Sequence, residues 1–187
     1  MFDKKIDNTS NSYGDDAIVT LSPREHIRLR PGMYIGKLGD GSQADDGIYV
    51  LIKEVVDNSV DEFIMGAGKQ IDVTVEDDIV TVRDYGRGIP LKSLAAAVSE
   101  MNTGGKYGGS AFKKTVGLNG VGVKAVNMLS SEFTARSVRD GEARTGDFRA
   151  GARTERPLGR GGVQEKNGTF ISFRVDREVF GDYSYNL

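Results

Sequence analysis

Two short polar segments contain the residues of this chain that are best suited to chemistry. Asp84 begins the run Asp-Tyr-Gly-Arg-Gly-Ile-Pro, directly after a stretch with strand-like alternation. Glu54 and Asn58 precede it in the chain, separated from it by the rest of a helical stretch and one hairpin. A buried carboxylate beside a glycine-rich turn can accept a hydrogen bond from an exocyclic amine such as adenine N6. The two segments together predict a purine-nucleotide pocket, although an acidic turn after an edge strand would show the same pattern at Asp84.

The earlier segment has helical spacing. Glu54, Asn58 and Asp61 stand at positions i, i+4 and i+7, so a helix places them on one face, opposite its apolar stripe. A glutamate can accept a proton from water, and an asparagine carbonyl can ligate Mg²⁺ without adding charge. A solvated helix face is the alternative interpretation of the same spacing.

A third segment is rich in glycine. Residues 120–125 match the dinucleotide fingerprint G-x-G-x-x-G/A, and Asp140 lies roughly where a ribose-binding acid would follow. We reject this match, because the fingerprint must follow a strand in a βαβ unit and a basic, glycine-bearing loop precedes it here. A glycine-rich loop that opens a helix still offers N–H groups to phosphate. Lys106, Lys113 and Lys114 add positive charge, or simply belong to a solvated loop.

The elements that position these segments follow one another without regular βαβ alternation. A capping box at residues 22–25 predicts a short helix that Pro31 and Gly32 end, and His26 on it is expected at the surface or as a cap. Further helices are predicted at 46–65, 91–101 and 121–129, and strands at 71–75, 79–82, 133–138, 142–148 and 169–175. The apolar positions expected to face the core in the long helix are Ile52, Val55, Val56, Val60, Phe63 and Ile64. The pattern favours an α+β fold with helices on one face of a mostly antiparallel sheet.

The composition sets outer bounds on function. The 187 residues suit one domain, which we expect at residues 21–187 behind a polar N-terminal arm at residues 1–20. A net charge of −2 argues against a broad DNA-gripping surface, and the chain has neither cysteine nor a membrane-length apolar run, which fits a cytoplasmic protein. Dense glycine predicts that residues from about 104 to 117 are mobile without bound phosphates.

The motifs in combination resemble a known superfamily. Residues 54–62 (EVVDNSVDE), 84–88 (DYGRG) and 117–122 (GLNGVG) resemble the three ATP-binding motifs of the gyrase–Hsp90–histidine kinase–MutL ATPases, in order and at suitable separations. Residues 30–36 (RPGMYIG) resemble the entry segment of the ATPase subunits of bacterial type IIA topoisomerases, the gyrase B and topoisomerase IV B proteins. The resemblance implies a Bergerat-type ATP-binding sandwich.

The resemblance also implies roles for matching positions. Glu54 would be the general base, Asn58 the Mg²⁺ ligand, and Asp84 the acceptor of the adenine amine, assisted by Thr169 through a bound water. Arg87 would pair with Glu62 at the rim near Arg139. The nucleotide-binding residues that it implies are Tyr13, Asn58, Asp84, Arg87, Gly88, Ile89, Pro90, Lys106, Gly117, Leu118, Asn119, Gly120, Val121, Gly122, Val123 and Thr169, with Tyr13 reaching across from a second copy of the chain.

At the level of function, the resemblance implies an ATP-hydrolysing domain whose ATP binding closes a dimeric gate for DNA strand passage. Its implied partners are ATP and Mg²⁺, a topoisomerase A-type subunit, DNA, a second copy after ATP binding, and ATP-competitive inhibitors. Asn119 stands where many gyrase B proteins carry histidine, so the resemblance weakly favours topoisomerase IV over gyrase. The family continues into a transducer domain, so a chain ending at Leu187 is expected to be a fragment, monomeric alone and poor at turnover.

Alternative functions remain open from the sequence. An ATP-switched chaperone or mismatch-repair protein would share the fold, although residues 30–36 and the arm weigh against it. The isolated domain could also act as a noncatalytic nucleotide-binding module. Binding of an ATP analogue without turnover would distinguish that module from an enzyme.

Overall fold

The computed structural model describes residues 20–101, 103, 120–154 and 160–186. The helices in these ranges are α1 (Pro23–Leu29), α2 (Gly32–Ile35), α3 (Gly47–Ile64), α4 (Leu94–Ser99), α5 (Gly122–Met128) and α6 (Arg177–Phe180). The strands are β1 (Ile71–Glu76), β2 (Ile79–Asp84), β3 (Ser130–Arg139), β4 (Glu142–Arg149), β5 (Ala152–Arg153), β6 (Arg160–Gly162) and β7 (Gly168–Val175). A 3₁₀ turn, Leu91–Ser93, leads into α4, so the helix predicted at 91–101 is shorter and partly 3₁₀.

The first helix begins as its sequence predicts. Ser22 Oγ accepts a hydrogen bond from the Glu25 amide, the Glu25 carboxylate accepts one from the Ser22 amide at 2.8 Å, and proline occupies the first turn. Pro31 and Gly32 do end α1, but they also begin α2, because a first-turn proline needs no N–H donor. His26 is not a surface or capping residue: it is half-buried, and its Nδ1 lies 2.8 Å from the Tyr34 hydroxyl.

One antiparallel sheet organises the molecule. The strand order is β1-β2-β7-β3-β4-β5, with β6 also paired to β4, and every pairing is antiparallel. The late strand β7 lies between β2 and β3, and its register pairs Phe170 with Arg83. This pairing brings the end of β2, where Asp84 lies, beside the beginning of β7, where Thr169 lies.

The helices cover one face of this sheet, as the sequence predicts. Alternate strand residues such as Val80, Phe133 and Phe173 point into a buried core with α3, α4 and α5. The other face is polar, with the Thr74 and Thr81 hydroxyls 2.6 Å apart across β1 and β2. The alternation of apolar and polar positions is that of a sheet with one covered face.

The long helix α3 departs from its predicted stripe in its second half. Phe63 and Ile64 are 59% and 45% exposed, whereas Ser59 and Asp61 are buried. The helix packs its first half on the core and then runs beside a cleft, so polar side chains of the later turns face inward. The predicted polar face is therefore not a solvated surface.

The stretch 151–168, which connects the strands predicted at 142–148 and 169–175, contains the unpredicted strands β5 and β6 in its described parts. The short helix α6 was not predicted either. It is capped by Asp176, which accepts a hydrogen bond from the Glu178 amide. In the described ranges, no helix combines the length and apolarity needed to cross a membrane.

Candidate functional site

A cleft of about 1030 Å³ opens between the helical layer and the sheet. Residues from α2, α3, α5, β2, β7 and the turn after β2 form its walls. The predicted site residues that line it are Glu54, Asn58, Asp84, Arg87, Gly88, Ile89, Pro90, Gly120, Val121, Gly122, Val123 and Thr169. The structure thus brings together segments that are separated by up to about a hundred residues in sequence.

Some predicted site residues lie outside the part of the chain that the structure describes. Tyr13, Lys106, Gly117, Leu118 and Asn119 lie outside the described residues, as do Lys113 and Lys114. The predicted mobility of residues 104–117 and the arm at 1–20, apart from Thr20, fall there as well.

Asp84 is a buried carboxylate in the cleft wall and is 6% exposed. Its Oδ1 atom accepts hydrogen bonds from the Gly86 amide at 2.9 Å and the Thr169 amide at 3.1 Å. Within the described part of the chain, Oδ2 receives no hydrogen bond. Burial raises the pKa of the Asp84 carboxyl, and the two amide hydrogen bonds partly oppose this. The carboxylate is therefore a fixed acceptor with one oxygen available to a buried donor.

The turn after Asp84 is held by side chains from distant strands. Ser137 Oγ donates to the Ile89 carbonyl at 2.7 Å, Arg139 Nη1 to the Gly88 carbonyl at 3.2 Å, and Arg144 Nη1 to the Leu91 carbonyl at 2.8 Å. Gly88 has a φ of +75°, and a Cβ there would lie 2.7 Å from the Val138 carbonyl oxygen, so only glycine fits. These contacts fix the apolar wall formed by Ile89 and Pro90.

A charged pair closes the rim as the sequence predicts. Arg87 donates to Glu62 from its backbone amide at 3.0 Å, from Nε at 3.0 Å and from Nη2 at 2.8 Å. Burial acts to raise the pKa of Glu62, but the Arg87 hydrogen bonds and charge, with a smaller effect of Arg139, hold it below its ordinary value. These three hydrogen bonds fix the orientation of the Arg87 guanidinium at the rim of the cleft.

At the opposite end, Glu54 lies directly against the start of α5. A Cβ added to Gly122 would fall 1.8 Å from Glu54 Oε2, which places the carboxylate almost on the glycine backbone. One turn further, Asn58 Nδ2 donates to the Glu54 carbonyl at 2.8 Å, and this bond orients the amide. The glutamate and the amide oxygen of Asn58 therefore belong to the same cleft wall as the backbone of residues 120–122.

Sequence reasoning missed several residues of the cleft. Lys124 is buried, and its ammonium donates to the carbonyls of Thr103, at 2.5 Å, and Gly120. Met33 and Tyr34 of α2 contribute to the wall. For this segment we predicted only the end of the preceding helix and a resemblance to the entry segment of the topoisomerase ATPase subunits. The one available signal for Lys124 was its position two residues after Gly122, inside a motif interpreted for its glycines alone.

The described lining has no excess of positive charge. It contains five acidic and four basic side chains: Glu54, Asp57, Asp61, Glu62 and Asp84 with Lys53, Arg87, Lys124 and Arg139. Lys53 and Arg87 are already paired with Asp57 and Glu62. Among the residues that the structure describes, no cluster of three or more His, Cys, Asp or Glu side chains could hold a metal.

Residues 43–179 match the family model described as histidine kinase-, DNA gyrase B- and HSP90-like ATPase. The B subunit of DNA topoisomerase IV from Borreliella burgdorferi is 52% identical over 177 residues, covering 95% of this chain and 29% of that protein. The novobiocin-resistant B subunit of DNA gyrase from Streptomyces niveus is 39% identical over 185 residues, covering 94% of this chain and 26% of that protein. The chain thus spans less than a third of the length of these curated relatives.

The fold also resembles a solved structure. The 43K ATPase domain of Thermus thermophilus gyrase B, crystallised in complex with an aminocoumarin, superposes with a TM-score of 0.72 at 31% identity. The superposition covers 87% of this chain and 42% of that chain. The sheet and its one helical layer therefore match a known ATPase architecture.

Proposed function

The chain belongs to the family of histidine kinase-, DNA gyrase B- and HSP90-like ATPases, and from this premise we propose that its cleft binds and hydrolyses ATP. The observation that carries the proposal is the Asp84 carboxylate. One of its oxygens is fixed by two backbone amides, and the other accepts no hydrogen bond from the described residues, although the carboxylate is buried in the cleft wall. Such a site suits a buried amine, because leaving a buried acceptor unpaired is costly.

Adenine occupies the end of the cleft around Asp84. The exocyclic amine donates to the carboxylate, with Thr169 assisting through a water, and Gly88, Ile89 and Pro90 contact the base. The clamp formed by Ser137, Arg139 and Arg144 on the backbone of this wall supports the assignment, since it holds the contact surface at a fixed distance from Asp84. Arg87, oriented by Glu62, lies at the rim.

The phosphates extend toward α5. Their contacts are the backbone of residues 117–123 together with Lys106, while Tyr13 reaches the nucleotide from a second copy of the chain. Asn58 supplies the one protein ligand to Mg²⁺. The Mg²⁺ ion, when bound, neutralises part of the phosphate charge, which the acidic lining cannot do.

Glu54 is the general base. Its carboxylate lies against Gly122, at the proposed phosphate end of the cleft, where it can orient a water and accept its proton as that water attacks the terminal phosphorus and the bond to the bridging oxygen breaks, releasing ADP and phosphate. Glu54 is on the rigid helix α3, so the carboxylate is positioned by packing and not by a loop.

In its full context, we propose that the domain serves the B-type subunit of a type IIA DNA topoisomerase in the cytoplasm. ATP binding drives homodimer closure, and with a topoisomerase A-type subunit the assembly passes one DNA segment through another, changing supercoiling or decatenating DNA. A topoisomerase IV is preferred over a gyrase, supported by the 52% identity to the Borreliella protein. ATP-competitive inhibitors would share the adenine end.

Calorimetric titration with nonhydrolysable ATP and GTP analogues, each with and without Mg²⁺, tests the binding proposal. The ATP analogue should bind with Mg²⁺-dependent affinity, and the GTP analogue should bind at least about tenfold more weakly, because guanine presents a carbonyl where Asp84 needs a donor. Equal affinities for the two analogues would contradict the adenine assignment.

A further inference from the structure

Lys124 is a charged side chain that is almost fully buried in the wall of the cleft. It is only 1% exposed, and its ammonium donates to two backbone carbonyls, those of Thr103 and Gly120. Burying an ammonium is unfavourable unless it is hydrogen-bonded, so these bonds are part of what permits a lysine at this position.

The two carbonyls belong to separate parts of the chain. Thr103 follows α4, whereas Gly120 precedes α5, and both residues line the cleft. Among the described hydrogen bonds, none joins Thr103 directly to Gly120, and the Lys124 ammonium links the two residues. Gly120 itself adopts a φ of +60° and leads within two residues to the glycine that touches Glu54.

We propose that Lys124 is a positioning residue for the phosphate end of the site. By tying Thr103 to Gly120, it sets the backbone of residues 120–122 against the Glu54 carboxylate. The inference rests on the proposed function, because that function assigns the phosphates to this backbone. Lys124 acts here through the peptide groups that it holds.

The proposal separates the two ends of the nucleotide. Asp84 is held by amides from β7 and from its own turn, and none of its described partners contacts Lys124. Loss of the lysine should therefore weaken binding of the phosphates and leave binding of adenosine unchanged. A lysine that merely stabilised the core would affect both ligands together.

The test is calorimetric titration of the 187-residue chain with adenosine and with a nonhydrolysable ATP analogue. Lys124→Met keeps the length and apolar stem of the side chain but removes the donors. Lys92→Met is the matched control, because Lys92 is exposed and lies outside the cleft. Lys124→Met should bind the ATP analogue about tenfold or more weakly, because the peptide groups that it positions lose part of their contact with the phosphates, and it should bind adenosine within about twofold of the parent.

Unchanged affinity for the ATP analogue in Lys124→Met would overturn the inference while leaving the proposed function intact. Equal weakening of both ligands would also overturn it. A parent chain that binds neither ligand would overturn the proposed function and the inference with it.

A second variant covers the case in which Lys124→Met does not fold. Lys124→Arg keeps the charge but replaces a compact ammonium by a longer, planar fork, which cannot hold both carbonyls in the same geometry. It should bind adenosine like the parent and the ATP analogue about threefold or more weakly, since displacements near 1 Å are felt at such sites. Parent-like affinity of Lys124→Arg for the ATP analogue, with Lys124→Met unfolded, would reject the positioning role.

Discussion

Gly122→Ala should uncouple nucleotide binding from hydrolysis. The added methyl group would lie 1.8 Å from Glu54 Oε2 and 2.7 Å from its carboxyl carbon, whereas a Cβ atom essentially never lies within 3.0 Å of a nonbonded heavy atom. The carboxylate must therefore leave its position, because the glycine backbone is held in α5. A displacement of this size at a general base should reduce hydrolysis by about 10²–10⁴-fold.

The stability cost of Gly122→Ala should be modest. Overpacking of a closed core costs about 1–3 kcal/mol, and Glu54 is only half-buried beside an open cleft, so its rotation should keep the cost at the lower end of that range. Affinity for the ATP analogue should stay within about tenfold of the parent, because alanine keeps the backbone N–H proposed to contact the phosphates and the displaced base contacts the water and not the nucleotide. Gly32→Ala is the matched control, because a Cβ at Gly32 meets no atom within 4 Å.

Phosphate release under single-turnover conditions, calorimetric affinity and thermal unfolding should be measured on the same preparations. A double variant gives an internal check: once Glu54→Ala has removed the carboxylate, adding Gly122→Ala should cost little further hydrolysis. Additive losses in the double variant, or parent-like hydrolysis in Gly122→Ala, would refute the placement of Glu54.

Three other outcomes follow from the geometry. Asp84→Asn places an amide where a charged acceptor should face an amine, so affinity for ATP analogues should fall by about 1.5–3 kcal/mol in calorimetry, and parent-like affinity would remove Asp84 from the adenine site. Because burial raises the pKa of Asp84 above its ordinary value of 3.8, adenosine affinity should weaken on acidification sooner than for a solvent-exposed aspartate, and a flat titration down to that pH would count against it. The pKa of Glu62 is instead held below its ordinary value of 4.5. The stability difference between the parent and Glu62→Gln should therefore be fully present above pH 4.5 and should disappear as the pH falls through the lower folded-state pKa. Denaturation at several pH values would measure this difference.

The location of the described site residues in one cleft could be predicted from the sequence, because the motifs that contain them are short-range patterns. Glycines beside Asp84 and the helical spacing of Glu54 and Asn58 are visible within a few residues. The capping box that begins α1 is equally local, and it is confirmed. The one-sided helical layer follows from alternation along the strands, which records the covered face directly.

What could not be predicted depends on contacts between distant segments. The bonds from Ser137 and Arg144 to the turn after Asp84 join residues about fifty positions apart, and nothing in either segment indicates the other. Lysine usually prefers solvent, so the burial of Lys124 could not be expected from its residue type. Hydrogen bonds from its ammonium to two carbonyls from separate parts of the chain permit this burial. Phe63 was placed in the core by its spacing, but the helix has left the core at that point and is beside the cleft.

The most direct test of the central claim, that this cleft is an ATP-hydrolysing site with Glu54 as its base, is to measure affinity and turnover together in Glu54→Ala. Glu54→Ala should bind the ATP analogue with Mg²⁺-dependent affinity within a few-fold of the parent, and it should hydrolyse ATP about 10²–10⁴-fold more slowly. Asn58→Ala, measured alongside, should weaken binding only when Mg²⁺ is present. Hydrolysis near the parent rate in Glu54→Ala, or a proportional loss of binding and turnover, would contradict the account.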